Sequence, residues 1–188
     1  LVVPYPGAPP NEVISQSKAP DRAPLLALSA TPAQRDGPSS TVRVGTAASE
    51  RTEEAIIAPT ARFEPVSLRI QRPDADAASP RRRSLMQSRR VAQKGGATFS
   101  LRLTRRNDGP IELHAENLNA LDESSVALLR PSTGQSHDLR SDQTITLNPS
   151  GKTAEFRVAV GTKVYVHDKR SNVGPDEMRL TSYPNTVR

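Results

Sequence analysis

Short runs in which apolar and polar residues alternate dominate the chain from about residue 62 onward. The run over 66–71 reads VSLRIQ, the run over 98–105 reads TFSLRLTR, and the run over 153–160 reads TAEFRVAV. A period of two is typical of a strand with one face buried in a core. The pattern predicts strands at 66–71, 98–105, 111–117, 125–130, 143–147, 153–160, 163–167 and 178–183.

Turn residues separate these runs. Asn, Asp, Gly, Pro and Ser cluster at 107–110, 131–134 and 148–151, where they favour chain reversal. Seven or eight short strands divided by such turns are typical of an antiparallel sandwich. Residues 120–130 could instead begin as a short helical turn, because Asp122 and Ser124 suit a helix start.

One stretch resembles a known architecture. Residues 95–118, GGATFSLRLTRRNDGPIELHAENL, look like the B–C hairpin of many immunoglobulin-like modules. The resemblance implies architecture alone, because the chain has no cysteine pair and no tryptophan. The fold class we predict is mainly β, with a C-terminal immunoglobulin-like antiparallel β-sandwich over 97–188 after a long extended Pro-rich N-terminal arm.

Proline sets the first half apart. Residues 1–96 hold 12 of the 17 prolines, and proline both fixes φ and removes a hydrogen-bond donor. We therefore predict an extended arm over 1–61, a strand over 62–72 that could join the sandwich, and a basic loop or linker over 73–96. Small apolar clusters on the arm suit docking in grooves of a partner: Leu1, Val2, Val3, Val13, Ile14, Leu25, Leu26 and Leu28.

The positive charge is confined to one segment. The formal net charge is +6, and six basic residues without an acid between them account for it: Arg81, Arg82, Arg83, Arg89, Arg90 and Lys94. Three interpretations stay open, namely contact with an acidic protein subunit, contact with the nucleic-acid phosphate backbone, and a linker without a specific partner. As a helix the segment would carry too few apolar residues for firm membrane anchoring.

The chain carries few residues suited to catalysis. The absence of cysteine excludes disulfides, thiolate ligands and cysteine nucleophiles. His114, His137 and His167 lack the spacing of a metal site, and no phosphate-binding glycine loop or serine elbow occurs. We interpret Gly95 and Gly96 as a hinge. We expect no enzymatic activity, metal, cofactor or small-molecule substrate, and no apolar run approaches the length of a membrane span.

These observations favour a non-catalytic structural or assembly protein of a large complex, with other protein subunits as partners. An arm, a small β-domain and a basic segment occur together in capsid-associated proteins, so by analogy we expect a cement, decoration or minor virion protein at a particle surface. The alternatives are a coat or ribosome-associated protein that binds the nucleic-acid backbone, and an accessory subunit of a bacterial envelope secretion complex. A secreted adhesion module is disfavoured, because the chain has no tryptophan platform. The chain begins at Leu1 without a charged and then apolar leader, so we expect either a start made by cleavage or a sequence that lacks its beginning.

Overall fold

Strands make up most of the computed structural model, which describes residues 24–34, 39–47, 49–50, 54–58, 64–72, 84–121 and 123–174. The strands are β1 (Leu26–Pro32), β2 (Ser40–Ala47), β3 (Glu54–Ile57), β4 (Val66–Gln71), β5 (Ser84–Val91), β6 (Gly96–Arg105), β7 (Ile111–Glu116), β8 (Ser125–Arg130), β9 (Gln135–Asp138), β10 (Thr144–Leu147) and β11 (Thr153–Gly161). A 3-10 turn (Leu118–Leu121) precedes β8, and helix α1 (Lys163–Ser171) follows β11.

The described strands form one curled sheet. Their order is β10-β7-β1-β2-β5-β4-β6-β11-β8-β9, and β3 pairs with β5 outside this order. Paired strands are antiparallel except β2 and β5, which run parallel. Strands far apart in the order, such as β1 and β4, lie against each other, because the sheet curls around a single cluster of buried side chains drawn from both of its halves.

The period-two runs of the sequence form strands of this sheet. In β6 the side chains of Phe99, Leu101 and Leu103 are buried, while Arg102 and Thr104 between them are exposed. The predicted strands at 66–71, 98–105, 111–117, 125–130, 143–147 and 153–160 are confirmed within two residues at each end. The run at 178–183 lies outside the described residues.

The strand predicted at 163–167 is wrong, because this segment is the first part of α1. Thr162 caps the helix by accepting a hydrogen bond from the Tyr165 N–H at 3.3 Å. Val166 is buried against the outer faces of β8 and β11, whereas Val164 is 81% exposed. Val164 and Val166 are spaced like residues on the buried face of a strand, but only Val166 of the two is buried.

The arm predicted over 1–61 is wrong for the part that forms β1, β2 and β3. β1 lies between β2 and β7, and its Leu26 and Leu28 are fully buried in the core. Pro24 stands before this strand and Pro32 is its last residue, which are positions where a strand tolerates proline. Residues 1–23 lie outside the described residues, and an extended arm there stays a prediction.

The basic loop predicted over 73–96 contains β5, a strand inside the sheet. The hinge predicted at Gly95 and Gly96 is a tight turn, in which Gln93 and Gly96 exchange hydrogen bonds of 2.7 and 3.2 Å. Lys94 (φ 53°) and Gly95 (φ 88°) have the two positive φ angles that a two-residue hairpin turn requires. This turn reverses the chain from β5 into β6.

The stretch that resembles an immunoglobulin hairpin is not a hairpin of paired strands. β6 pairs with β4 and β11, whereas β7 pairs with β1 and β10. Strands from before residue 97 are therefore neighbours of strands from after it, and the sheet has no boundary at the predicted start of the sandwich domain. The sequence left a short helical turn open at the start of 120–130; the 3-10 turn covers the first two residues of this range, and residues 125–130 form β8.

Candidate interaction surface

The basic segment is divided by the strand that it contains. Arg81, Arg82 and Arg83 lie outside the described residues, and Arg83 directly precedes Ser84, the first residue of β5. Lys94 follows the other end of this strand, and seven steps along it span about 23 Å. The predicted contact residues therefore do not form one continuous run of surface charge.

A bulge in β5 explains why the sequence did not predict this strand. Ile56 of β3 faces Gln87 and the next residue, Ile57, faces Leu85, so Met86 is one residue too many on β5. Leu85 and Ser88 are both buried although they are three positions apart. A period of two cannot describe such a strand.

Two of the six basic side chains are used within the fold. Arg89 is 9% exposed. Arg90 donates to the carbonyl of Thr98 at 3.2 Å, and its guanidinium lies 5.2 Å from the centre of the buried Phe99 ring, a cation–π distance. Lys94 is exposed in the tight turn. The candidates for partner contact are therefore reduced to Arg81, Arg82, Arg83 and Lys94.

The apolar arm residues divide in the same way. Leu26 and Leu28 are buried in this chain's own core, which corrects their predicted role in docking on a partner. Leu25 is half-buried and covers Gly45, where an added Cβ would lie 2.8 Å from a Leu25 methyl carbon. The remaining docking residues lie outside the described part of the chain: Leu1, Val2, Val3, Val13 and Ile14.

The edge formed by β3 exposes apolar side chains. Ile56 is 40% exposed and Ile57 is 58% exposed, and within the described ranges Val164 is the one other large apolar residue that is exposed. β5 is the sole described neighbour of β3. We call Ala55, Ile56 and Ile57 with their backbone groups the β3 edge. Sequence reasoning missed it, although TEEAIIAP joins two acids, an apolar pair and a proline, a combination that suits an edge strand.

The histidines do not meet in the structure. The Nδ1 of His114 is 2.9 Å from the hydroxyl of Thr144 across the β7–β10 pair, His137 is half-buried in β9, and His167 is exposed on α1. Among the residues that the structure describes, no group of three or more acidic or histidine side chains could hold a metal ion. None of the described helices is long and apolar enough to cross a membrane.

A broad groove with a volume of about 1210 Å³ opens at one end of the sheet. Small residues line much of it, including Ala92, Gly95, Gly161 and Thr162. Its described lining contains one acid, Glu123, and no histidine.

No protein family, curated protein or solved structure matches this chain.

Proposed function

We propose that this protein is a non-catalytic structural subunit of a larger assembly and that a protein partner binds at the β3 edge. The observation that carries the proposal is the exposure of Ile56 and Ile57 on a strand with one described neighbour. An edge strand with exposed apolar residues favours addition of a further strand, which monomeric proteins usually block. A partner strand would cover these side chains and pair with the backbone.

The finer form of this proposal is a capsid-associated cement, decoration or minor virion protein at a particle surface, with residues 1–23 reaching neighbouring subunits. It is supported by the Pro-rich segment that precedes β1 and by the basic triplet that precedes β5. An accessory subunit of a bacterial envelope secretion complex is the alternative. For the fold, we propose an immunoglobulin-like sandwich, supported by the single core that the two halves of the sheet enclose.

Binding to the nucleic-acid backbone is the second candidate, favoured by the basic triplet Arg81, Arg82 and Arg83. With Lys94 included, about four phosphates would be neutralised, which gives a log–log salt slope of about −3 to −4. Replacing the three arginines by serine would then reduce this slope to about −1. Under the leading proposal the same variant stays in the assembly.

Sedimentation of the native material distinguishes the protein-partner proposal from the nucleic-acid candidate. The chain is followed by mass spectrometry before and after nuclease treatment and at raised salt. We expect the wild-type chain to stay with a large particle under all conditions, because apolar and backbone contacts at a strand edge are not screened by salt. Release by nuclease would instead support the nucleic-acid candidate.

Two matched variants connect this result to the β3 edge. Ile56→Lys places a charge on the edge strand, which opposes strand addition, and should release the chain from the particle. Val164→Lys changes an equally apolar, 81% exposed residue on α1 and should leave the chain bound. Equal retention of both variants would contradict the β3 edge as the binding surface.

A further inference from the structure

We infer that the first part of β11 binds the C-terminal end of an extended peptide, whose terminal carboxylate lies between Arg130 and Arg157. The inference goes beyond the proposed function and does not rest on the β3 edge. Three features carry it. The backbone of β11 has an open side, the cleft beside it is closed at one end, and an arginine stands on each face of the sheet at that closed end.

β11 is paired on both sides over only part of its length. β6 pairs with the whole of β11, whereas β8 pairs only with residues 157–161. β8 ends at Arg130, and the next residue, Pro131, would stand opposite Glu155 in the same register. A proline has no N–H to donate, so the ladder stops there. Among the described strands, residues 153–156 therefore have β6 as their one neighbour.

The backbone of this stretch offers hydrogen-bonding groups to the open side. The carbonyl of Lys152, just before β11, accepts from the N–H of Arg105 in β6 at 2.8 Å. Backbone groups alternate sides along a strand, so the N–H and C=O groups of Thr153 and Glu155 are directed away from β6. A strand added at about 4.8 Å pairs with these groups.

A cleft with a volume of about 580 Å³ lies beside the open side of β11. Its lining includes one stretch of strand and two turns, at 153–157, 131–133 and 148–150. Both turns are held by hydrogen bonds. The N–H of Thr133 donates to the carbonyl of Arg130 at 3.1 Å, and Arg105 donates to the carbonyl of Pro149 at 2.8 Å. A site that is fixed before binding costs little ordering when the ligand arrives.

The cleft is closed where β8 stops. Arg130 and Pro131 occupy the place that an added strand would need if it continued along β11. The carbonyl of Pro131 accepts from the N–H of Gly134 at 3.4 Å, so the N–H of Glu155 is left for a ligand. A bound segment must end at this point, which selects a chain terminus over the middle of a chain.

The closed end is positively charged on both faces of the sheet. Arg157 lies opposite Leu129, which packs on the face that α1 covers, and Arg130, the next residue of β8, is directed to the other face. Both arginines are half-buried and line the cleft. The acid of the described lining, Glu155, pairs with Arg102 at 2.6 Å. Guanidinium groups bind carboxylates, so this end favours a C-terminus over an N-terminal ammonium group.

The position of the carboxylate sets the direction of the peptide. Its chain runs parallel to β11, because its last residue lies at the end of the cleft nearest Arg157. Two backbone positions and two arginines form a small contact, so we expect a dissociation constant between about 10 µM and about 1 mM.

Affinity selection on the immobilised full chain tests the inference directly. The probes are two pools of acetylated pentapeptides with randomised side chains, one ending in a free carboxylate and the other in an amide. Mass spectrometry should find at least about tenfold more retained peptide from the carboxylate pool, because the amide cannot form the charged hydrogen bonds. Equal retention of the two pools would overturn the inference.

A proline substitution tests the backbone pairing. Glu155→Pro removes an N–H that faces the cleft and leaves the hydrogen bonds to β6 in place, as on an edge strand. It should weaken binding of the retained peptides at least about tenfold. Glu155→Ala keeps this N–H and should bind at least as tightly as the wild type. Equal binding by the two variants would contradict strand addition at β11.

Two further variants test the arginines. Arg130→Gln combined with Arg157→Gln should weaken binding of the carboxylate peptides at least about tenfold. Lys163→Gln is the control, because it removes one exposed positive charge beyond the other end of β11, and it should bind like the wild type. Melting temperatures, compared with that of the wild type, establish that each variant is folded. Undiminished binding by the double variant would rule out the carboxylate site.

The outcomes separate this inference from the proposed function. Ile56→Lys should bind the peptides like the wild type, because the β3 edge is not part of the cleft. If neither pool is retained but Ile56→Lys still releases the chain from a particle, the peptide site is overturned and the proposed function stands. If the peptides bind but the chain sediments with no particle, the inference is supported and the proposed function is contradicted.

Discussion

At the scale of residues, the fold depends on side chains that no hydrophobic pattern predicts. Arg105 ends β6 on the inner face of the sheet and is 8% exposed. Its guanidinium donates to the carbonyls of Gly151 at 3.0 Å and Pro149 at 2.8 Å, and also to that of Gly109. One buried cation thus connects the turn after β6 with the turn before β11. The sequence predicts both turns but not the residue that joins them, because the three carbonyls are distant in the chain.

Arg105→Ala should lower the free energy of unfolding by about 2–4 kcal/mol, because three carbonyls lose their charged donor. Urea unfolding measures the change. Arg102→Ala is the matched control: Arg102 is one of the exposed residues of the same strand and pairs with Glu155 at 2.6 Å, and an exposed ion pair contributes about 1 kcal/mol or less. Equal losses of unfolding free energy in the two variants would contradict the role of Arg105 in joining the two turns.

Gly96 is required because Tyr165 lies on it. The ring of Tyr165 occupies the space that a Cβ at residue 96 would need, and its hydroxyl is 2.9 Å from the hydroxyl of Thr98. This contact holds α1 against the start of β6. The sequence shows the glycine pair but not the aromatic ring above it, 69 positions later in the chain.

Gly96→Ala should therefore destabilise the fold by about 1–3 kcal/mol through overpacking, measured by urea unfolding. Gly151→Ala is the control, since a Cβ there would have no atom within 4 Å. If Gly96→Ala were as stable as Gly151→Ala, the packing of Tyr165 on the sheet would be in doubt.

At the scale of elements, sequence patterning succeeds where a strand is regular and half-exposed. β4 and β6 are examples, because each has one face in the core and the other at the surface. Patterning does not predict β5, because the bulge at Met86 interrupts its period of two. It does not predict β1, because of the prolines at the ends of that strand. Patterning predicts a strand in place of α1, because Val164 and Val166 alternate like strand residues. In the helix Val166 is buried and Tyr165 packs beside it.

β1 allows the clearest test at this scale, since the sequence assigns it to an arm and the structure to the core. Leu28→Ala should cost about 2–5 kcal/mol of unfolding free energy, because a fully buried leucine leaves a cavity. Val164→Ala on the exposed face of α1 should stay within about 0.5 kcal/mol of the wild type. A neutral Leu28→Ala would support the arm instead.

At the scale of the whole molecule, the two halves of the sequence form one sheet. Their different compositions predict an arm followed by a domain, but composition does not show which strands pair. β1 pairs with β7 although the paired residues are 79 to 89 positions apart in the chain. For the same reason the sequence predicts one basic contact, whereas the fold buries Arg89 and separates Lys94 from the triplet. The β3 edge cannot be predicted from the sequence, because the exposure of Ile56 and Ile57 depends on which strands pair with β3.

Amide hydrogen exchange of the assembled and the free chain is the most direct measurement of whether the β3 edge binds a partner. The N–H of Ala58 donates to the carbonyl of Ser84 on β5, so by alternation the N–H groups of Ala55 and Ile57 face the open side of β3. In the assembled chain we predict that these two amides exchange at least about tenfold more slowly than in the free chain, because a partner strand accepts their hydrogen bonds. The amides of β10, at the far end of the sheet, should be unchanged. Unchanged exchange in β3, together with new protection in β10, would contradict this account.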